Sequence, residues 1–315
     1  MEASADFEKL NETKANFDAI YTEPDPRAYF RVLGGLDYTI PELAAPVFRQ
    51  LVTARQAQQD RPVTVLDLGC SYGINAALLR FSLSLDMLRR RYMHPDIQAL
   101  SAGSMRAYDA AYFASWPARY GLSIVGLDAS ASAVQYAQQV GILNAGLVED
   151  LERDQPSERA RSFLADVDLV ISTGCVGYVT QKTFAKILAC NQNSTPPWIA
   201  SFVLRMFPYD GITKAIKSFG LETEKFAGAT FVQRRFHSAE EYDLTLSSLE
   251  SLGIDPAGRE AEGLLHAELF VSRPAARIRE KPLGGLISIV SGQNRRYGRR
   301  FYRVRGKGRR ELLVN

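Results

Sequence analysis

The sequence has few of the residues that build metal centres and disulfide frameworks. It contains three cysteines, Cys70, Cys175 and Cys190, and three histidines in 315 residues. No two cysteines have the spacing of a metal site, and their odd number argues against a set of disulfides. We therefore expect no metal and no disulfide-stabilised secreted domain, and a reducing cytoplasm is the predicted compartment.

Long apolar segments are missing as well. No run of about 18 uncharged apolar residues occurs, so no membrane-spanning helix is expected. The N-terminal segment MEASADFEKLNETKANFD is polar and acidic, and it lacks the basic start and apolar stretch of a secretory signal. Hydrophobic residues nevertheless make up 46% of the chain, which is enough for a large core.

The net charge of +3 is unevenly distributed. Residues 291–310 hold nine Lys and Arg residues and no acid, so the rest of the chain carries a net charge of −6. The same segment contains aromatic residues and glycines, a composition typical of nucleic-acid-binding segments. It is interpreted either as an RNA-binding tail or as a solvated or subunit-bound tail, and a homodimer stays open.

Short apolar runs alternate with segments of helical periodicity from residue 63 onward. The runs predict strands at 63–68, 122–128, 145–149, 167–172, 198–207, 229–236 and 266–274. Leu78, Phe81, Leu85 and Leu88 predict one long helix that ends near Arg91. Such alternation predicts an α/β fold with a mostly parallel sheet and helices on both faces.

The same pattern divides the chain into three regions. Residues 1–60 are predicted to form an N-terminal cap, with an irregular stretch at 21–46 that is rich in Pro, Gly and aromatic residues. Residues 61–274 form the core and carry an insertion at about 93–120. Residues 275–315 form an extension that ends in the basic tail.

The loop after the first predicted strand reads DLGCSYG, residues 67–73. In parallel sheets, ligands bind at the carboxyl ends of the strands, so this loop is a candidate site. Small residues at 69, 71 and 73 let the main chain turn sharply and approach a ligand closely. The following helix starts with free N–H groups, which suit a carboxylate.

DLGCSYG resembles motif I of the class I methyltransferases that use S-adenosylmethionine (SAM). In that family an acid and spaced glycines hold the amino-acid end of SAM. The resemblance implies that Asp67, Gly69, Cys70, Ser71 and Gly73 contact the cofactor, although Ser71 stands where many members have glycine. No third glycine follows at the offset of a dinucleotide fingerprint. The resemblance covers about residues 60–273 and implies a seven-stranded Rossmann-like sheet.

Two further acids fit the family pattern. Members carry an acid at the end of the second strand, where its two oxygens accept hydrogen bonds from the ribose hydroxyls. Asp128, followed by Ala129, is therefore assigned to the ribose, and its alternative role is to cap the helix that begins near Ser130. Asp150 is assigned to the adenine amino group, with Glu149 as its rival.

The fourth strand ends in Ser172-Thr173-Gly174-Cys175. Many methyltransferases that modify amino groups of nucleic acids and proteins have an Asn/Asp-Pro-Pro-Tyr/Phe box here, and this chain does not. The resemblance therefore implies a small-molecule acceptor, with Thr173 beside the cofactor.

Candidates for acceptor binding and for a general base are weaker. Tyr29 and Tyr38 in the cap, and Arg205 and Arg235 near strand ends, are assigned to substrate binding. His237 and Tyr178 are assigned as bases that take a proton from the acceptor. Each has a structural alternative, namely packing, helix capping or a surface salt bridge.

Three other functions stay open. An RNA methyltransferase would bind through residues 291–310 and lose affinity steeply as salt rises. A non-catalytic SAM-binding or assembly protein would bind SAM and yield no S-adenosylhomocysteine (SAH). A nicotinamide enzyme, the remotest option, would prefer NAD to SAM.

Overall fold

In the computed structural model, residues 17–289 are described, Asp18 by its main chain only. Beyond them only the main chain of three short strands is described, at Arg296–Tyr297, Arg300–Arg305 and Glu311–Val314. The start of the predicted cap, residues 1–16, lies outside the described residues, as does much of the basic segment 291–310. The predicted role of that segment in binding RNA therefore stays a prediction.

Eight strands within residues 17–289 lie in one sheet, which the three short strands beyond them extend. The eight are β1 (Val63–Leu68), β2 (Leu122–Asp128), β3 (Ala145–Val148), β4 (Leu169–Thr173), β5 (Trp198–Leu204), β6 (Leu221–Lys225), β7 (Phe231–Arg235) and β8 (Leu264–Pro274). The order begins β3-β2-β1-β4-β5-β8, and the first five strands are parallel to one another. The predicted Rossmann-like, mostly parallel sheet is confirmed.

The outer edge of β8 is shared by two strands. β8 runs antiparallel to β5 on one edge. On the other edge, β6 pairs with the final residues of β8, and β7 pairs with the first residues of β8. Eight strands thus occupy seven positions, because β6 and β7 follow one another along the same edge.

Helices cover both faces of the sheet. They span Asp18–Tyr21, Arg27–Gly35, Ile40–Gln56, Ile74–Arg80, Leu85–Tyr92, Pro95–Gln98, Ala102–Ala114, Ala131–Gln139, Glu158–Leu164, Gln181–Cys190, Asp210–Lys217, Ala239–Ser251, Ala275–Glu280 and Leu283–Leu286, with a 3₁₀ turn at Glu260–Glu262. Alternate strand residues enter two separate cores: Val65 packs in one and Leu66 in the other. Among residues 17–289, no helix is long and apolar enough to cross a membrane.

The long helix predicted to reach Arg91 is in fact two helices. The first ends at Arg80, and Phe81 is extended, with φ −115° and ψ 160°. The Ser84 side chain then accepts a hydrogen bond from the Met87 N–H and caps the second helix, Leu85–Tyr92. The apolar spacing continues across the break, so periodicity alone did not reveal it.

The stretch 21–46, predicted to be irregular, is largely helical. It contains the helix Arg27–Gly35 and the start of Ile40–Gln56. Pro41 lies in the first turn of the second helix, where the missing N–H costs nothing. The prediction was wrong because proline and glycine mark helix ends as well as loops.

Candidate functional site

A large cavity of the described chain lies at the carboxyl ends of the parallel strands. The strand order reverses around β1, which lies between β2 and β4, and such a switch point is where α/β sheets bind ligands. The cavity has a volume of about 870 Å³, and small-molecule sites measure roughly 300–1,000 Å³. The loops after β1, β2, β3 and β4 line it, together with residues from the segment 17–41.

The loop after β1 is held in a left-handed conformation. Gly69, Ser71 and Gly73 have φ angles of +71°, +50° and +75°. A Cβ atom on Gly69 would lie 2.7 Å from Cβ of Cys175, and one on Gly73 would lie 2.8 Å from Cγ2 of Ile142. Both positions therefore require glycine for close packing as well as for conformation.

Asp128 joins this loop to the end of β2. Its Oδ2 atom accepts a hydrogen bond from the Ser71 N–H, and its Oδ1 atom accepts one from the Ser130 N–H, both at 2.9 Å. Burial raises the pKa of the Asp128 carboxyl, while these N–H groups lower it. Ser130, rather than Asp128, caps the following helix by accepting from the Ala133 N–H. Each carboxylate oxygen keeps acceptor capacity that is available to a diol.

Unpaired oxygens lie around the loop after β1. Asn75 donates through Nδ2 to Oδ1 of Asp67 (3.2 Å) and to Oγ1 of Thr173 (3.0 Å). Asp67 is completely buried, and its burial raises the pKa of the carboxyl to about 7. Within the described protein, Oδ2 of Asp67, Oδ1 of Asn75 and Oγ of Ser71 have no hydrogen-bond partner. A ligand that brings donors would satisfy such buried acceptors.

The two acids after β3 have different tasks. Asp150 and Glu149 both border the cavity. Glu149 accepts hydrogen bonds from the hydroxyl (2.5 Å) and the N–H (3.4 Å) of Ser157, which begins the next helix. Oδ1 of Asp150 accepts only local main-chain N–H groups, from Glu152 and Arg153. Asp150 is therefore freer than Glu149 to meet a ligand.

The segment 17–38, here called the roof, is fastened to the loops that it covers. The Tyr72 hydroxyl shares its proton between the carbonyl oxygens of Ile20 and Glu23, at 2.7 and 2.8 Å. The Ser130 hydroxyl donates to the carbonyl oxygen of Tyr21 at 2.6 Å. The loops after β1 and β2 thus hold the roof as well as the floor of the cavity.

Tyrosine rings from the roof line the cavity at steep angles to each other. Tyr21 and Tyr29 have ring centroids 6.2 Å apart at 59°, and Tyr29 and Tyr38 have theirs 6.1 Å apart at 84°. Tyr38 also hydrogen-bonds to Thr173 and Tyr29, and burial raises the pKa of its hydroxyl to about 12. We call Tyr21, Tyr29, Tyr38 and Phe17 the aromatic chamber.

β7 supplies a polar wall next to this chamber. Gln233 and Arg234 both border the cavity and are almost fully buried. Arg234 forms a two-pronged ion pair with Glu241, at 2.8 and 2.5 Å. Its guanidinium lies 5.1 Å from the ring centroid of Phe17. The charge of Arg234 is therefore neutralised inside the protein.

The two arginines assigned to substrate binding do not line the cavity. Arg205 is buried against Glu260, with an Nη1–Oε2 distance of 2.6 Å, and it also donates to the carbonyl oxygen of Asp255. Arg235 is exposed and pairs with Asp37 at 2.9 Å. Both side chains thus form ion pairs with acids outside the cavity.

Neither of the two assigned bases is buried in the cavity. The His237 ring packs edge-on against Phe17, with centroids 5.8 Å apart, and it does not border the cavity. Tyr178 borders the cavity, but 47% of it is exposed. Among the described residues, no group of three or more His, Cys, Asp or Glu side chains is arranged to hold a metal ion.

The structure brings most of the other predicted site residues together. The assigned residues that line the cavity are Gly69, Cys70, Ser71, Asp128, Ala129, Asp150, Thr173, Tyr29 and Tyr38. Asp67 is buried behind Asn75, and Gly73 packs against the neighbouring helix. The sequence reasoning missed Asn75 and Gln233, and it assigned Arg235 rather than its neighbour Arg234. Asn75 directly follows the motif loop and had a positional signal.

No protein-family model matches the chain, and no curated protein sequence matches it. One similar solved structure is a TehB-like SAM-dependent methyltransferase from Corynebacterium glutamicum, with 17% identity, 70% of this chain and 85% of that chain covered, and a TM-score of 0.33. The plantazolicin methyltransferase BpumL, in complex with SAH and a desmethylPZN analog, has 13% identity, coverages of 87% and 100%, and a TM-score of 0.41.

A third similar structure is the geranyl diphosphate C-methyltransferase from Streptomyces coelicolor, with 10% identity, coverages of 73% and 79%, and a TM-score of 0.37. The likeness is one of fold alone. The Rossmann-like topology rests on the strand order of this chain. Cofactor and acceptor have to be argued from the cavity itself.

Proposed function

We propose that this protein is a SAM-dependent methyltransferase whose acceptor is a small molecule. The observation that carries the proposal is the junction of the glycine-turned loop with Asp128, joined by the 2.9 Å hydrogen bond from the Ser71 N–H. This junction sets a sharply turned main chain and a pair of carboxylate oxygens side by side at the edge of one cavity. The resemblance of residues 67–73 to motif I points to the same cofactor.

The donors and acceptors around the cavity fit SAM. The unpaired Oδ1 of Asn75, whose Nδ2 is held by Asp67, suits an ammonium group, and the two oxygens of Asp128 suit the vicinal hydroxyls of a ribose. Asp150, with no ion-pair partner closer than the 3.7 Å contact to Arg153, suits the adenine amino group. When bound, SAM supplies a methyl group already activated by its sulfonium sulfur.

The chain's own residues then position the reactants and exclude water. The roof covers the cavity, and the rings of Tyr21, Tyr29 and Tyr38 present faces that stabilise a nearby positive charge. Fixing two reactants in line contributes much of the rate of a displacement reaction. A chamber enclosed by the roof supports a small acceptor rather than a nucleic acid.

The setting of the protein follows the earlier expectation. Cys70, Cys175 and Cys190 are free thiols, which supports a reducing compartment such as the cytoplasm. Three expectations stay predictions: a binding role for the basic segment 291–310, a homodimer, and an RNA acceptor.

Calorimetric titration with SAH tests the cofactor assignment. Asp128→Ala removes two hydrogen bonds to a charged acceptor, each worth roughly 1.5–3 kcal/mol, so affinity should fall by at least about a hundredfold. Asp128→Asn, which keeps the shape of the side chain, should also bind more weakly. Asp166→Ala, at an exposed aspartate away from the cavity, should bind like the wild type.

Two results would contradict the proposal. Equal SAH affinity for Asp128→Ala and the wild type, with unchanged circular dichroism, would remove Asp128 from the site. Absence of SAH binding to the wild type would remove the cofactor. A protein that binds SAH but never forms it from SAM with any acceptor would be the non-catalytic alternative.

A further inference from the structure

Gln233 is the extra residue of a β-bulge in β7. Val232 pairs with His266 and Arg234 pairs with Leu265, so Gln233 has no partner on β8. In a regular strand, successive side chains point to opposite faces of the sheet. The bulge re-aims them, and both Gln233 and Arg234 border the cavity.

The Gln233 amide is buried and incompletely paired. The residue is 3% exposed, and its Oε1 atom has no hydrogen-bond partner in the described protein. Its main chain is fixed to the roof, because its carbonyl oxygen accepts from the Thr39 N–H at 2.8 Å. The amide lies beside Gly174, with its atoms 3.1–3.5 Å from where a Cβ of Gly174 would be. An unpaired acceptor thus sits at the tip of β4.

The surroundings of this oxygen exclude an anionic acceptor. Arg234, the cation next to Gln233, has its guanidinium occupied by Glu241 and by the carbonyl oxygen of Arg235. Arg153 and Lys182, the other described cations that border the cavity, are exposed and contact Asp150 and Glu152 after β3, so the β7 wall offers no uncompensated charge to a carboxylate or a phosphate. A buried amide oxygen is instead satisfied by a hydrogen bond from an N–H or O–H donor.

The same surroundings favour a nitrogen nucleophile over an alcohol. An alcohol must lose its proton to attack, whereas an amine attacks through its neutral lone pair. Among the described residues that line the cavity there is no histidine, and its acids lie in the loops after β2 and β3, where Asp128, Glu149 and Glu152 accept hydrogen bonds from the protein. Burial raises the pKa of Tyr38 to about 12 and that of Tyr29 well above its ordinary value, so both remain phenols at neutral pH and do not accept a proton.

We infer that the methyl acceptor is a compact amine and that Oε1 of Gln233 accepts a hydrogen bond from its N–H group. The aromatic chamber surrounds the positive charge that develops on the nitrogen. This inference rests on the proposed function and adds the chemical class of the acceptor.

The reaction is balanced without a further reactant. An alkylamine that arrives protonated first releases that proton to water. The neutral nitrogen then shares its lone pair with the methyl carbon while the carbon–sulfur bond breaks, and the electron pair of that bond stays on sulfur. The methylated ammonium then releases one proton to water. Gln233 holds the nitrogen in line through the N–H that takes no part in bond formation.

The test uses the full-length protein saturated with SAH, so that binding is measured without transfer. Aniline, benzylamine and 2-phenylethylamine are titrated by calorimetry beside phenol, benzyl alcohol and 2-phenylethanol, which have the same skeletons. At least one amine should bind about tenfold more tightly than its matched alcohol. With SAM in place of SAH, mass spectrometry should detect the N-methylated amine and no methyl ether.

Variants locate the effect on Gln233. Gln233→Leu should reduce the preference for the amine by roughly threefold to tenfold, the value of one neutral hydrogen bond, and should leave SAH affinity unchanged. Gln233→Glu should increase the preference, because a carboxylate is a stronger acceptor. Arg235→Gln, at an exposed position of the same strand, should change neither quantity.

The outcomes separate this inference from the proposed function. Equal or tighter binding of the alcohols, no binding of any of the three amines at about 10 mM, or an unchanged preference in Gln233→Leu overturns the amine assignment. Failure of the wild type to bind SAH overturns the proposed function instead.

Discussion

Replacing Asp67 by asparagine should stabilise the protein and weaken its binding of SAH. Asp67 is completely buried, and its Oδ2 atom lacks a partner. Desolvation raises the pKa of its carboxyl to about 7; the hydrogen bond from Asn75 opposes the rise, and the charge of Asp128 adds to it. Ionisation of this carboxyl therefore destabilises the folded protein. Asparagine has nearly the same shape and carries no charge to desolvate.

The size and sign of the effect follow from the two pKa values. Between about pH 4 and pH 7 the folded state keeps a proton on Asp67 that the unfolded state has released, so stability falls as the pH rises. The pKa rises from its ordinary value of 3.8 to about 7. At about 1.4 kcal/mol for each pKa unit, burying this carboxyl costs up to about 4 kcal/mol at pH 8, where it is ionised, and about 2 kcal/mol at pH 5, where folding takes up a proton.

Urea unfolding of both proteins at pH 8 and at pH 5 measures this cost. Asp67→Asn should be more stable than the wild type by a few kcal/mol at pH 8, and by about half as much at pH 5. The pKa of Glu260 is also raised to about 7, but this residue is common to both proteins and cancels in the difference.

An Asp67→Asn protein that is no more stable than the wild type at pH 8 would refute the reasoning, as would a stability difference that does not change with pH. If the acid is retained for function, SAH should bind the variant at least about tenfold more weakly, as a trade of stability for binding predicts. Unchanged SAH affinity would leave the stability argument intact and remove the cofactor role of Asp67.

Three further predictions follow from contacts in the site. Gly69→Val should abolish SAH binding by calorimetry and lower the melting temperature, because its Cβ would meet Cys175 at 2.7 Å in a left-handed turn; normal binding would refute the role of this loop. Tyr72→Phe removes the hydroxyl that holds the roof, so SAH should dissociate roughly tenfold faster in stopped-flow displacement; an unchanged rate would show that the roof does not control release. Arg234→Ala removes the guanidinium that neutralises buried Glu241 and should lower the free energy of unfolding in urea by about 3–5 kcal/mol. Arg235→Ala, at an exposed position, should lower it by less than about 1 kcal/mol. Equal losses in the two variants would contradict the burial argument.

The strands that position the site could be predicted from the sequence. The apolar, β-branched runs predict β1 and β2 with the same bounds that the structure has. β6 was missed because LETEK, residues 221–225, alternates charged residues and buries only Leu221 fully. It is a strand because it forms main-chain hydrogen bonds with the edge of β8. The hydrophobic pattern of the segment does not reveal this pairing.

The cofactor end of the site could also be predicted. Because β1 and β2 are adjacent and parallel, the loops that follow them must meet, and Asp128 reaches Ser71 as a consequence. The acceptor end could not, since the bulge at Gln233 depends on the register with β8. The roles of Arg205 and Arg235 were likewise hidden, because their acidic partners are distant in sequence.

The roof also rests on the insertion at 93–120. Nη1 of Arg27 donates to the carbonyl oxygens of Ile97, Gln98 and Leu100, at 3.3, 3.1 and 2.7 Å. None of the described residues that line the cavity comes from this insertion. Substitutions in this insertion can therefore change the dissociation rate of a bound nucleoside without changing any residue that contacts it.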